Sequence, residues 1–90
     1  MEEKFLFARE ANRQKAETLG ARIRPITDMQ QAHRCLSSSR ESDGFNVLAQ
    51  KGRLDLSLEA LAVKKQFTGL FNDDEANNAL MRLLDAGYKF

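Results

Sequence analysis

The sequence predicts a mainly α-helical fold: one small domain, residues 1–90, of four to five helices with short extended segments near 22–26, 54–56 and 88–90. Three observations carry this. Apolar residues recur at three- and four-residue spacing in several stretches, the period of a helix with one buried face. Those stretches begin after Thr27, Ser57 and Asn72, which cap helix starts, and stop at Gly20, Gly52 and Gly87, which terminate helices. The composition, 42% hydrophobic and 30% charged with a single proline, is that of a folded soluble domain rather than a disordered tail. A chain of this length buries only roughly 60–65% of its unfolded surface, which leaves room for one small core.

Residues 2–19 are dominated by Ala, Glu, Lys, Arg, Gln and Leu, without Pro or Gly, and predict the first helix, with a domain segment running 1–20. Glu2 and Glu3 suit the positive end of its dipole. Phe5, Ala8, Ala16 and Leu19 define an inward face that Asn12 interrupts. Phe5, Leu6 and Phe7 cannot all face one core from one helix, so either the segment is extended there or one side of it is exposed, available to a partner or to a second copy in a homodimer. Residues 21–26, ARIRPI, alternate polar and apolar and predict a connector or short edge strand, since Pro25 biases Arg24 away from helix.

Thr27 followed by Gln30 fits a capping box for a short helix within 27–36, with Met29, Ala32, His33 and Leu36 inward. Residues 37–44, SSSRESDG, predict a flexible loop. A short helix follows over 45–51, burying Phe45, Leu48 and Ala49, and Gly52 ends it. Leu54-Asp55-Leu56 alternates with period two, as an extended entry would. Ser57 then caps a helix over 58–66, with Leu58, Leu61 and Ala62 inside and Lys64 and Lys65 near its negative end. Residues 67–71 form a turn anchored by Phe67 and Phe71. The last helix has the strongest marks: Asn72 with Glu75 as a capping box, Phe71 as a staple, a stripe of Ala76, Leu80, Leu83 and Leu84 with Ala79 alongside, and Gly87 before Tyr88 as the stop.

Residues 45–90 read helix, Gly52, Leu-x-Leu, helix, turn, Asp-Asp-Glu-Ala, then Ala-Leu-x-x-Leu-Leu-x-Ala-Gly-Tyr. That order resembles the winged helix-turn-helix superfamily, over about half the chain. The resemblance implies that the second helix of the pair approaches a DNA major groove. Two features depart from it. The segment leaves no room for a hairpin wing, so residues 21–26 would have to supply a partner strand. The groove-facing end of the second helix carries Asp73, Asp74 and Glu75, which phosphates would repel. Asn77, Asn78 and Arg82, on its expected outer face, are residue types that read base edges, though a solvated helix face has the same composition.

Charge is nearly balanced, 14 basic against 13 acidic residues, which excludes a strongly basic nucleic-acid-binding domain. The excess of positive charge lies early: residues 1–24 hold six basic and four acidic groups, residues 54–90 four and six. Arg9, Arg13 and Lys15 on the first helix, with Arg22 and Arg24 on the connector, form the candidate basic surface for phosphates or an acidic protein. Asn78 and Arg82 are the second candidate surface. One cysteine, Cys35, and one histidine, His33, cannot complete a metal site, and no cofactor is expected. His33 with Ser37, Ser38 or Ser39 is the sole nucleophile–base pairing available, and those serines fall in the loop. No Gly-rich phosphate loop, small-molecule substrate signature or membrane-spanning run is present, and a lone thiol fits a reducing, cytoplasmic compartment. The expectation is a non-enzymatic regulatory or accessory module associated with DNA through a winged-helix-like core, the alternative being a protein-interaction module or small inhibitor.

Overall fold

The computed structural model describes residues 1–89. Five α-helices and two 3₁₀ segments make up the domain: α1 (Glu2–Thr18), α2 (Met29–Ser37), α3 (Phe45–Gln50), a 3₁₀ turn (Leu54–Leu56), α4 (Leu58–Ala62), a 3₁₀ segment (Lys65–Leu70) and α5 (Asp73–Asp85). No strand is formed among the described residues. Phe90, the end of the extended segment expected at 88–90, lies outside them.

Local chemistry explains most of the boundaries. Asn72 Oδ1 accepts from Glu75 N at 2.8 Å while Glu75 Oε1 accepts from Asn72 N at 3.0 Å, so the expected capping box closes. Ser57 Oγ accepts from Ala60 N and starts α4 as expected. At the other end of α5, Gly87 takes φ 82°. Its N–H donates to Leu84 O, and Tyr88 N–H donates to Leu83 O, which closes the last turn and packs Tyr88 on the cluster holding Leu83. The pairs Gly20–Ala21 and Gly52–Arg53 close α1 and α3 with the same two bonds.

Three boundaries differ from the sequence reading. The cap of α2 is Asp28, one residue later than Thr27, and Gln31 rather than Gln30 is its partner. Asp28 Oδ1 accepts from Gln31 N, and Gln31 Oε1 accepts from Thr27 N. The expected extended segment 54–56 is a 3₁₀ turn. With no neighbouring strand to pair with, its backbone groups are satisfied locally, by Leu56 N to Arg53 O, Ser57 N to Leu54 O and Ser57 Oγ to Leu54 O. Helix α4 stops at Ala62, short of Gln66, and the chain re-coils as a 3₁₀ segment that drives Phe67 inward. Residues 21–27 carry no regular structure, yet the alternation holds for side chains: Ala21 and Ile23 are buried while Arg22 and Arg24 are exposed.

The apolar interior has two clusters. One gathers Phe5, Met29, Leu36, Leu58, Leu61, Phe67 and Phe71, with the Phe5 ring edge-on to Phe67 and Phe71 at 5.3 and 5.1 Å between centroids. The other gathers Ala16, Ile23, Phe45, Leu48, Leu54, Leu56 and Leu83. Gly44 joins the loop to the second cluster at φ 75°, and a Cβ there would sit 2.7 Å from Ile23 Cγ1, so both backbone and packing demand glycine.

Candidate functional site

A buried polar network runs along the seam between the two clusters. On α1, Arg9 falls between Phe5 of the first cluster and Ala16 of the second. On α4, Glu59 falls between Leu58 and Ala60, and on α5, Arg82 falls between Ala79 and Leu83. Glu59 is completely buried and its carboxylate accepts from Ser42 N at 2.8 Å, from Ser42 Oγ and from Arg82 Nη1 at 3.1 Å. The carboxylate is thereby paired and saturated, the condition under which a buried charge is tolerated.

Arg82 also donates to Cys35 O and Leu36 O at 3.3 and 3.4 Å and to Ser38 O, and Asn78 Nδ2 donates to Leu36 O at 2.9 Å. Two side chains of α5 thus cap the carbonyl end of α2, and the Arg82 charge faces the negative pole of that helix. One turn earlier on α5, Glu75 receives a hydrogen bond from His33 Nδ1 at 2.8 Å, in addition to its capping bond. The loop over 38–44, which starts one residue later than expected because Ser37 belongs to α2, is anchored through Ser38 and the buried Ser42.

The residues singled out from the sequence separate into three groups. Arg9 and Arg13 share a helix face, but it is the inward one. Arg9 is 2% exposed. Arg13 donates to Glu10 Oε1 and Oε2 at 2.8 and 2.6 Å and pairs with Glu17, so its charge is spent on its own helix. This bond holds the Glu10 carboxyl down at about 2, and raises Arg13 in turn. Asn78 and Arg82 belong to the helix interface with α2 rather than to an outer face. The reason in each case is that an acid or a row of carbonyls distant in sequence supplies a partner inside. Lys15, Arg22 and Arg24 are exposed; Arg24 N donates to Asp43 Oδ2 at 3.3 Å, and its guanidinium pairs loosely with the same carboxylate at 3.7 Å. Of the basic surface expected from Arg9 to Arg24, Arg9 is therefore withdrawn by burial and Arg13 by its local acids, whereas Lys15, Arg22 and Arg24 stay outside.

The inward stripe of α5 is rotated by roughly a quarter turn from the one expected. Glu75, Ala79 and Leu83 are buried, whereas Leu80, Met81 and Leu84 are 37, 57 and 52% exposed. Helical spacing places Asp73, Asn77, Leu80, Met81 and Leu84 on one outward face. Every exposed ionisable group of α5 is a carboxylate: Asp73, Asp74 and Asp85. Phe7 on α1 is also exposed: the segment is helical rather than extended, which leaves one side of the Phe5-Leu6-Phe7 run outside.

Burial pushes the Cys35 thiol up from its ordinary value, against the opposing pull of Arg9, so the thiolate that nucleophilic chemistry needs is disfavoured. No group of three metal-ligating side chains converges among the described residues, and no helix among them is long and apolar enough to cross a membrane. No protein-family model, curated protein or solved structure matches the chain.

Proposed function

We propose that the chain is a small non-enzymatic module that docks on a partner protein through the outward face of α5. One observation carries this reading: Leu80, Met81 and Leu84 stand exposed on a helix whose exposed charges are all acidic. An apolar strip bracketed by Asp73 and Asp74 at one end and Asp85 at the other fits a partner with an apolar patch rimmed by basic groups. A second copy of the chain would set carboxylates against carboxylates, so a different protein is the better complement. The same acids disfavour a polyphosphate, and of the arginines that made nucleic acid attractive from sequence, Arg9 is buried and Arg13 is held by Glu10 and Glu17, which leaves Arg22 and Arg24 outside. In terms of the winged-helix resemblance, α4 and α5 are then a docking scaffold rather than a groove reader.

The test is site-specific photo-crosslinking in cells that express the chain. A photoreactive residue replacing Met81 is expected to trap one protein, which purified material then binds directly, and Leu84→Glu is expected to weaken that binding at least tenfold, about 1.4 kcal/mol. A control at Lys15, on the exposed side of α1, is expected to trap nothing comparable. Crosslinks from Lys15 or Arg22 to nucleic acid, with Met81 silent, contradict the reading.

A further inference from the structure

We propose that the cleft floored by Arg9 binds a terminal phosphate group. Nε and Nη1 of Arg9 are buried without any hydrogen-bond partner among the described residues. A guanidinium does not discard its proton to escape burial, so the cation and its unfilled donors persist together. The carboxylates within electrostatic reach are committed elsewhere: Glu59 to Ser42 and Arg82, Asp43 to Arg24. Nothing among the described residues supplies the missing acceptors, and a buried charged donor left unfilled is among the more costly arrangements in a protein interior.

The cleft above Arg9 has a volume of about 460 Å³, within the range of small-ligand sites. Cys35 lines its wall, and Arg34 and Arg40 stand exposed on its rim with Glu41 as the remaining acid. The potential inside is therefore positive although the chain as a whole is nearly neutral. A phosphate offers acceptor oxygens in several directions, which suits guanidinium groups reaching in from the floor and the rim; a carboxylate offers two in one plane. Because Arg9 lies at the bottom, an inorganic phosphate or the end of a monoester can reach it, while a phosphodiester inside a nucleic-acid strand is held off by its two substituents. This site is separate from the α5 docking face, and either can fail without the other.

The whole chain, in phosphate-free buffer, is titrated with inorganic phosphate, phenyl phosphate, dimethyl phosphate and acetate at matched ionic strength, following thermal unfolding and the Arg9 Nε resonance. Phosphate and phenyl phosphate are expected to raise Tm by roughly 5–10 °C at about ten times Kd and to shift that resonance, with little effect from dimethyl phosphate or acetate. Arg9→Met removes the charge and keeps the apolar stem; it is expected to melt no lower than the parent without phosphate and to lose the response. The rim variant Arg34→Gln/Arg40→Gln, confined to exposed side chains, keeps the test alive should Arg9→Met fail to fold, and is expected to weaken phosphate binding by roughly threefold or more. An Arg9 resonance and a Tm that ignore phosphate overturn the proposal, as does an equal response to acetate or dimethyl phosphate, or an unaltered phosphate response in both variants. Such results would leave Arg9 hydrated by ordinary water.

Discussion

Arg13 grips the Glu10 carboxylate with Nε and Nη2 from one turn further along α1, and Gln14 adds a hydrogen bond to the same group. The acid is consequently harder to protonate in the folded chain than in the unfolded one, about 2 against an ordinary 4.5. A depressed carboxyl value stabilises the fold above the unfolded value; that contribution fades as pH falls from 4.5 and is gone below about 2. The Glu10 side-chain carboxyl carbon, followed by NMR, should titrate near pH 2, and Arg13→Gln should return it toward 4.5. Titration near 4.5 in the parent would mean that the pair does not persist in solution. The same pairing explains why Arg13 is a poor candidate for an external phosphate: it already holds two acids of its own helix.

At the scale of elements, α5 is positioned by polar groups together with Ala79 and Leu83, and not by Leu80 or Leu84. Its Glu75 meets His33, its Asn78 and Arg82 cap α2, and its Arg82 neutralises Glu59 of α4. Arg82→Ala strips a buried carboxylate of its counter-charge and leaves the carbonyls of Cys35, Leu36 and Ser38 short of donors. It should cost about 3–5 kcal/mol in urea unfolding, a large share of the total for a domain this small. A loss below ~1 kcal/mol would show that the network is dispensable. The caps of α4 and α5 and the stop at Gly87 were legible because their partners lie three to five residues apart. The direction in which α5 faces was not, because Leu80 and Leu84 look like core until Glu75 and Arg82 are known to have interior partners. Those partners are far off in sequence, Arg82 from Cys35 by 47 positions. The burial of Arg9 is not legible either: an arginine on a mixed-charge helix is ordinarily solvated, and only the tertiary seam between Phe5 and Ala16 buries it.

For the molecule as a whole, folding redistributes charge that is nearly balanced in total and basic toward the start of the chain. Three of the arginines proposed from sequence as a binding surface, Arg9, Arg13 and Arg82, are taken into the interior or into local pairs. What remains outside is an apolar strip on α5 set among carboxylates and, on another side, the arginine rim of the cleft above Arg9. Mainly helical architecture followed from capping residues and spacing; the placement of its two surfaces followed from ion pairs that only the assembled fold brings together.

That redistribution is the basis for preferring a protein partner to nucleic acid, and fluorescence anisotropy of labelled DNA bears on it most directly. Duplex and single-stranded probes titrated with micromolar protein at 50 mM salt should show no saturable rise, because Arg9 and Arg13 are withdrawn from the basic surface and the exposed face of α5 is acidic. Submicromolar binding whose affinity collapses between 50 and 200 mM salt, and which Arg22→Glu/Arg24→Glu abolishes, would contradict the account.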